Sequence, residues 1–239
     1  PMTFVKNIFP HTQSLDSLKI CSLFQSVEDE KLSLLLENCG YIRFKSSEII
    51  NHEGEPFKHC PLMISGQIEV YRHTYLGEEK VFGLFDVGEI VAIAAVFMPH
   101  NRYPMSLRAK TDGEALLLDK RDILRLCHAC PHIMEKLLMR FSSKLYENIN
   151  HIDWLTSSSA EQRLAAYLID LKHKQLSLNI VLPLSRGQLA AKLGIRYETL
   201  SRLVSGWRQK GFIGIEKDTV HIYNENYLTQ LSISAQRPF

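Results

Sequence analysis

The chain has 239 residues, 45% of them hydrophobic, with a formal net charge of +2. That length buries a full core in one or two domains, and that charge excludes a strongly basic, nonspecific nucleic-acid coat. The longest uninterrupted apolar run, residues 90–98, is too short to span a bilayer. No stretch joins a basic region, an apolar core and a cleavage site. Five cysteines at irregular spacing do not form a disulfide framework, so a cytoplasmic protein without membrane contact is expected.

Residues 29–39 read as a short helix with Leu32, Leu35 and Leu36 facing a core. From residue 40 to 118 the rhythm changes to short apolar runs: YIRF, EII, LMIS, QIEVYR, VFGLF, IVAIAAVF, MSLRA and ALLLD. Gly54, Gly66, Gly77 and Gly88 recur at intervals of 11 or 12, the spacing of strand turns in an antiparallel roll.

A long helix follows, from residue 131 to about 156, with Pro131 suited to a first helical position. Met134, Leu138, Phe141, Leu145, Asn148, Ile152 and Leu155 alternate at separations of 4 and 3, a heptad seam. A second apolar set, Leu137, Tyr146 and Ile149, is expected to pack the helix onto its own roll. Two apolar faces suggest a parallel coiled-coil homodimer with Asn148 fixing register; the alternative is a helix buried inside a monomer. Cys127 and Cys130, in RLCHACPHI at the start of this helix, are a candidate redox or metal pair that His128 and His132 would extend. Their plainer reading is two half-buried small residues in a helix corner. The stretch 156–159 is a hinge, and Ser159 with Gln162 is a capping box for the next helix.

Residues 185–212, SRGQLAAKLGIRYETLSRLVSGWRQKGF, read as a helix, a glycine turn and a second amphipathic helix, the layout of a DNA-binding helix-turn-helix. The buried face holds Leu189, Ala190, Leu193, Ile195, Leu200, Leu203 and Trp207, with Gly194 in the turn. Glu198, Ser201, Arg202, Ser205 and Arg208 share the opposite face. An arginine, a carboxylate and a hydroxyl on one stripe are suited to guanine, to a base amino group and to several edges respectively. Ser185, Arg186, Arg196, Ser205 and Arg208 are candidates for the DNA backbone. An ordinary helical hairpin with a solvated face is the competing reading. Residues 212–223 continue as a hairpin around Lys217 and Asp218, which makes a wing. Between residues 160 and 211, Lys and Arg outnumber the three acids Glu161, Asp170 and Glu198, a local basic patch.

Roll, long helix and winged helix in this order resemble the Crp/Fnr superfamily of bacterial transcription regulators, from about Leu23 to Leu231. The motifs are HEGEPFKHCPLMISGQIEVY at 52–71, LRAKT at 107–111 and ETLSR at 198–202, the last similar to the Fnr-branch pattern E-x-x-S-R. The implied fold is α+β: a cyclic-nucleotide-binding-like β-roll (1–130), a dimerisation helix and hinge (131–157) and a winged helix-turn-helix (158–239). In the Fnr branch the Glu, Ser and Arg read TTGAT half-sites in an inverted repeat, which the resemblance carries to Glu198, Ser201 and Arg202. The Crp pattern R-E-x-x-x-R is not met, because Arg196 lies two residues before Glu198. The resemblance also implies RNA polymerase as a partner, activation of transcription, and an effector that shifts the dimer helix between two arrangements.

The sensor departs from its relatives. Through Gly88 and LRAKT, the Gly-Glu slot that holds cyclic AMP falls on Ala92-Ile93, and the Arg-Ser slot on Tyr103-Pro104. Neither pair supplies the charge a cyclic phosphate needs, so cyclic AMP is not expected. Fnr-type iron–sulfur ligation needs crowded early cysteines, and Cys21, Cys39 and Cys60 do not provide them. Haem stays open, with Cys21, His11 or His100 as axial candidates. A gas- or thiol-sensing module with secondary DNA contact is the alternative function. A jelly-roll metalloenzyme is the third, disfavoured because His52, His59, His73 and His100 never form the H-x-H pair such sites use.

Overall fold

A computed structural model of the chain describes residues 14–75 and 77–233. Two units emerge, divided after Phe141. The first begins with α1 (Leu15–Lys19), where the Ser14 hydroxyl accepts from the Ser17 amide, and α2 (Asp29–Leu32). The helix expected over 29–39 is one α turn followed by a 3-10 turn, Ser33–Leu36. Leu32 and Leu35 are buried as expected, and Leu36 packs partly against the same core.

Seven strands form the roll: β1 (Gly40–Phe44), β2 (Ile49–Asn51), β3 (His59–Ser65), β4 (Ile68–His73), β5 (Glu79–Phe85), β6 (Ser106–Ala109) and β7 (Gly113–Asp119). They make two antiparallel sheets, β1-β7-β3 and β2-β6-β4-β5. All four spaced glycines adopt positive φ. Gly66 shows why: at φ +73 a Cβ would stand 2.3 Å from the Asp112 carbonyl oxygen. The run IVAIAAVF is not a strand. It enters a 3-10 turn, Ile93–Phe97, from Ala92 at φ +60. Its residues lack the period-2 alternation that lays one face on a core, and Ala95 with Val96 turns inward together.

Helix α3 (Lys120–Ala129) is capped by Asp119, whose carboxylate accepts from the Arg121 amide at 2.8 Å. It ends at Cys130, with φ −136 and ψ 82, and α4 (Pro131–Ser157) begins on the next residue. Cys127 therefore sits in the last turn of α3 and only Cys130 adjoins α4, which corrects the placement of both at the start of the long helix. Proline disfavours α geometry in the residue before it and so ends α3 there. On α4, Ile133 and Leu137 are buried in the first core. Tyr146 and Ile149, expected on the roll with Leu137, are instead about half exposed.

The second unit continues through α5 (Ala160–Gln175), β8 (Asn179–Val181), α6 (Arg186–Lys192), α7 (Tyr197–Gln209), β9 (Ile213–Glu216), β10 (Thr219–Ile222) and α8 (Glu225–Ile233). The Ser159–Gln162 capping box is present at α5. The wing is a three-stranded antiparallel sheet, β8-β10-β9, one strand more than the sequence suggests. Its core gathers Leu164, Leu168, Leu189, Leu200, Trp207 and Val220. Among the described residues no helix is long and apolar enough to cross a membrane.

Candidate nucleic-acid interface

The α6–turn–α7 pair is built by reciprocal caps and one steric requirement. Ser185 Oγ accepts from the Gln188 amide, and Gln188 Oε1 accepts from the Ser185 amide at 3.0 Å. At the turn Gly194 adopts φ +63, and a Cβ there would come within 2.7 Å of Leu155 Cδ2. Leu155, a proposed seam residue, is thus half-buried beside the turn.

Along α7 the two faces separate as the spacing requires. Leu200 and Trp207 are buried, and Leu203 packs against the same core. Trp207 is oriented by Glu161, which accepts from its indole at 2.8 Å and from the Tyr227 hydroxyl at 3.0 Å. With the indole N–H satisfied, the ring is buried without an orphaned donor. Glu198, Ser201, Arg202, Ser205 and Arg208 are all exposed on the other face. Among the described residues none of these side chains is engaged in an ion pair or hydrogen bond. Their donors and acceptors stay available, which is the condition for reading base edges. Arg186 and Arg196 are exposed as well, at the starts of α6 and α7.

Sequence reading missed Arg163. It is 7% exposed on α5, and its guanidinium donates to main-chain carbonyls and lies over the Trp154 ring at 6.0 Å. Nε donates to the Leu193 carbonyl at 2.8 Å, and Nη1 donates to the Leu155 carbonyl at 3.1 Å and to that of Ser158. Leu155 lies in the last turn of α4, Ser158 just beyond it, and Leu193 at the end of α6. One cation therefore holds orphan carbonyls from both places, where the helix dipole also favours positive charge. Burial pulls its pKa down, but a guanidinium stays charged. Arg163→Ala is expected to lower the stability of this unit by about 1.5–3 kcal/mol, the scale of bonds to a charged group. Arg163→Lys should recover part of the loss, because an ammonium lacks the planar fork. Denaturant midpoints followed by tryptophan fluorescence check this; an unchanged midpoint would contradict it. A lone buried basic residue in an apolar stretch, RLAAYLI, is the signal that was available.

In the roll, the slot residues have other duties. Tyr103 is buried and donates its hydroxyl to the His59 carbonyl at 2.7 Å, and burial pushes its pKa up. Pro104 gives its carbonyl to Arg72, and Arg102 donates to the Gly54 carbonyl at 2.7 Å. Ile93 begins the 3-10 turn. Arg108, over the Tyr71 ring at 4.5 Å, ties β6 to Glu69 of β4 and Glu79 of β5.

Cys21, Cys39, Cys60 and Cys127 are buried and Cys130 half-buried, and none of the five forms a disulfide among the described residues. Burial pushes the Cys39 thiol up to about 12 and raises Cys21, Cys60 and Cys127 also. Burial disfavours the Cys127 thiolate, which weakens it as a nucleophile. His132 faces Glu135 at 3.7 Å, and His128 is exposed. Among the described residues no group of three or more His, Cys, Asp or Glu converges as a metal site. His11 lies outside the described residues.

On α4, Leu138 is 64% exposed and Leu145 and Ile152 61% each, with Met134 and Asn148 also exposed. Phe141 is half-buried and its ring centroid lies 6.1 Å from that of Phe97.

Comparisons with known proteins agree on both units. Residues 41–130 match the model of the cyclic nucleotide-binding domain, and residues 162–231 that of the Crp-like helix-turn-helix domain. The transcriptional activator protein anr of Pseudomonas aeruginosa is 24% identical over 193 residues, covering 79% of this chain and 78% of the relative. The fumarate and nitrate reduction regulatory protein of Escherichia coli is 23% identical over 229 residues, 93% of this chain and 90% of that one. Among solved structures, a CooA variant from Carboxydothermus hydrogenoformans superposes with a TM-score of 0.60 at 20% identity, covering 89% of this chain and 95% of that one.

Proposed function

The chain belongs to the Crp/Fnr family of DNA-binding transcription regulators, and from that premise we propose that it acts as a homodimer on an inverted repeat of TTGAT half-sites. The observation that carries this reading is the exposed, unengaged stripe of Glu198, Ser201 and Arg202. Arg202 pairs with guanine, Glu198 accepts from a base amino group, and Ser201 contacts a neighbouring edge. Ser185, Arg186, Arg196, Ser205 and Arg208 hold the phosphates and fix the register. Met134, Leu138, Phe141, Leu145, Asn148, Ile152 and Leu155 form the dimer seam, with residues 1–130, 131–157 and 158–239 as sensor, dimer helix with hinge, and DNA-binding part.

The regulator responds to a small effector other than cyclic AMP. Ala92, Ile93, Tyr103 and Pro104 offer no charge or small donor for a cyclic phosphate, and Tyr103 is already committed to the His59 carbonyl. Among the described residues, Cys21 and His100 do not fit a haem axial ligand either, and no group of cysteines converges for an iron–sulfur cluster. Cys21 is 1% exposed within the core, and His100 is exposed with Nδ1 accepting from the Arg102 amide at 3.1 Å. The effector biases two dimer arrangements through its differential affinity for them, and so the spacing of the recognition helices. By analogy with the relative named an activator, the outcome is contact with RNA polymerase and activation, in the cytoplasm.

Selection from a random duplex pool tests this. The expected winner is TTGATNNNNATCAA, with an affinity that saturating cyclic AMP leaves unchanged. An unsymmetric or unrelated winner overturns the assignment of Glu198, Ser201 and Arg202, and a cyclic AMP-dependent affinity overturns the reading of the roll.

A further inference from the structure

The winged-helix unit contains a pocket of about 70 Å³ between α5, α6, α7 and the wing. Every buried or half-buried residue on its wall is Leu, Ile or Val: Leu168 represents α5, Leu189 α6, Val204 α7, and Ile215 with Val220 the wing. The exposed residues on the same wall are Ser185, Arg186, Tyr197, Ser201, Lys217 and Asp218, so the opening lies on the face assigned above to DNA. Arg186 and Lys217 make no ion pair among the described residues. One acid, Asp218 at the wing turn, leaves the rim with a net positive charge.

We propose that this pocket is a ligand site for a small amphipathic acid, whose apolar tail enters the pocket and whose carboxylate meets Arg186 and Lys217. Apolar cavities of roughly 150 Å³ stay dry and take benzene. A pocket half that size suits a short alkyl chain with its head at the opening. The site goes beyond the proposed function, although its consequence rests on that reading: the same cations serve either a DNA phosphate or the carboxylate. Ligand and operator then exclude one another, and each weakens the other by the same factor.

The test titrates butanoate, whose propyl tail is about half the size of benzene, and separately 1-butanol, into the methyl-labelled full chain without DNA. Saturable shifts are expected at methyls of Leu189, Val204, Ile215 and Val220. Val204→Phe fills the space and is expected to abolish them. Arg186→Gln is expected to weaken butanoate about tenfold, the loss of one charge-assisted contact, and to leave butanol unaltered. Should Val204→Phe fail to fold, the Arg186→Gln comparison of acid and alcohol decides alone. Shifts that never saturate, that spread beyond the pocket, or that are equal for butanoate in wild type and Arg186→Gln overturn the site. A parallel anisotropy titration separates the two readings. Butanoate that binds the pocket yet leaves operator affinity unchanged overturns the competition. A chain that binds no TTGAT duplex even without butanoate overturns the DNA reading, while the methyl shifts still decide the pocket.

Discussion

Leu145→Asp is expected to turn the proposed dimer into a monomer at micromolar concentration. Leu145 is 61% exposed in the single chain, so the substitution costs the monomer little. In a coiled-coil seam the same position is closed off by its counterpart on the partner helix. Two leucines then lose their burial, at about 1.5–3 kcal/mol each. Two carboxylates are placed face to face in an apolar layer, which adds a desolvation penalty on top. The burial loss alone, about 3–6 kcal/mol, lowers the association constant by roughly two to four powers of ten. Sedimentation velocity checks the outcome, and a variant that still sediments as a dimer removes the seam. Operator affinity should fall with it, because each half-site would then be bound independently.

Arg202→Ala is expected to reduce operator affinity by about 2–6 kcal/mol, one to three for each half-site, with the loss concentrated on a single base pair. In affinity that is roughly 30-fold to 20,000-fold. The expectation follows from exposure and freedom: the guanidinium stands on the open face of α7, one residue from Ser201 and four from Glu198. A phosphate contact would behave differently, weakening all sequences alike and flattening the salt dependence. Binding measured on duplexes substituted at each half-site position separates these cases. Uniform weakening would move Arg202 to the backbone group.

The recognition element was legible because one signal served several purposes at once. The 3.6-residue period placed Leu200 and Trp207 inside and Glu198, Ser201 and Arg202 outside, and Gly194 marked the turn. In the roll, the glycine spacing announced turns that all adopt positive φ. What escaped was what short or non-periodic segments do. Strand β8 is three residues long, too brief for alternation to show. The 90–97 run was apolar on every residue, which does not distinguish a buried strand from a 3-10 turn. The break at Cys130 was written in Pro131, read only as a helix start and not as a stop for the helix before it. Arg163 stood out only as a lone base in the apolar stretch RLAAYLI; its partners are main-chain carbonyls brought together by folding, and no spacing rule reports them.

Arg163, Gly194 and Leu155 also give the coupling a physical place. The last turn of α4, the helix-turn-helix corner and α5 are joined by one guanidinium, and Leu155 lies so near Gly194 that a Cβ there would clash with it, all within the second unit. If α4 is the dimer helix proposed above, a change at its end would reach the corner that carries α7. In this reading the effector need only alter the population of two helix arrangements.

Sedimentation of the full chain with a labelled TTGATNNNNATCAA duplex should be measured first, beside a duplex whose half-sites are moved apart by about half a helical turn, roughly five base pairs. Two chains on the matched duplex, with affinity lost when the half-sites face opposite sides, is the expected result. One chain per duplex, or equal affinity for both spacings and for an isolated half-site, would contradict a twofold reader of an inverted repeat.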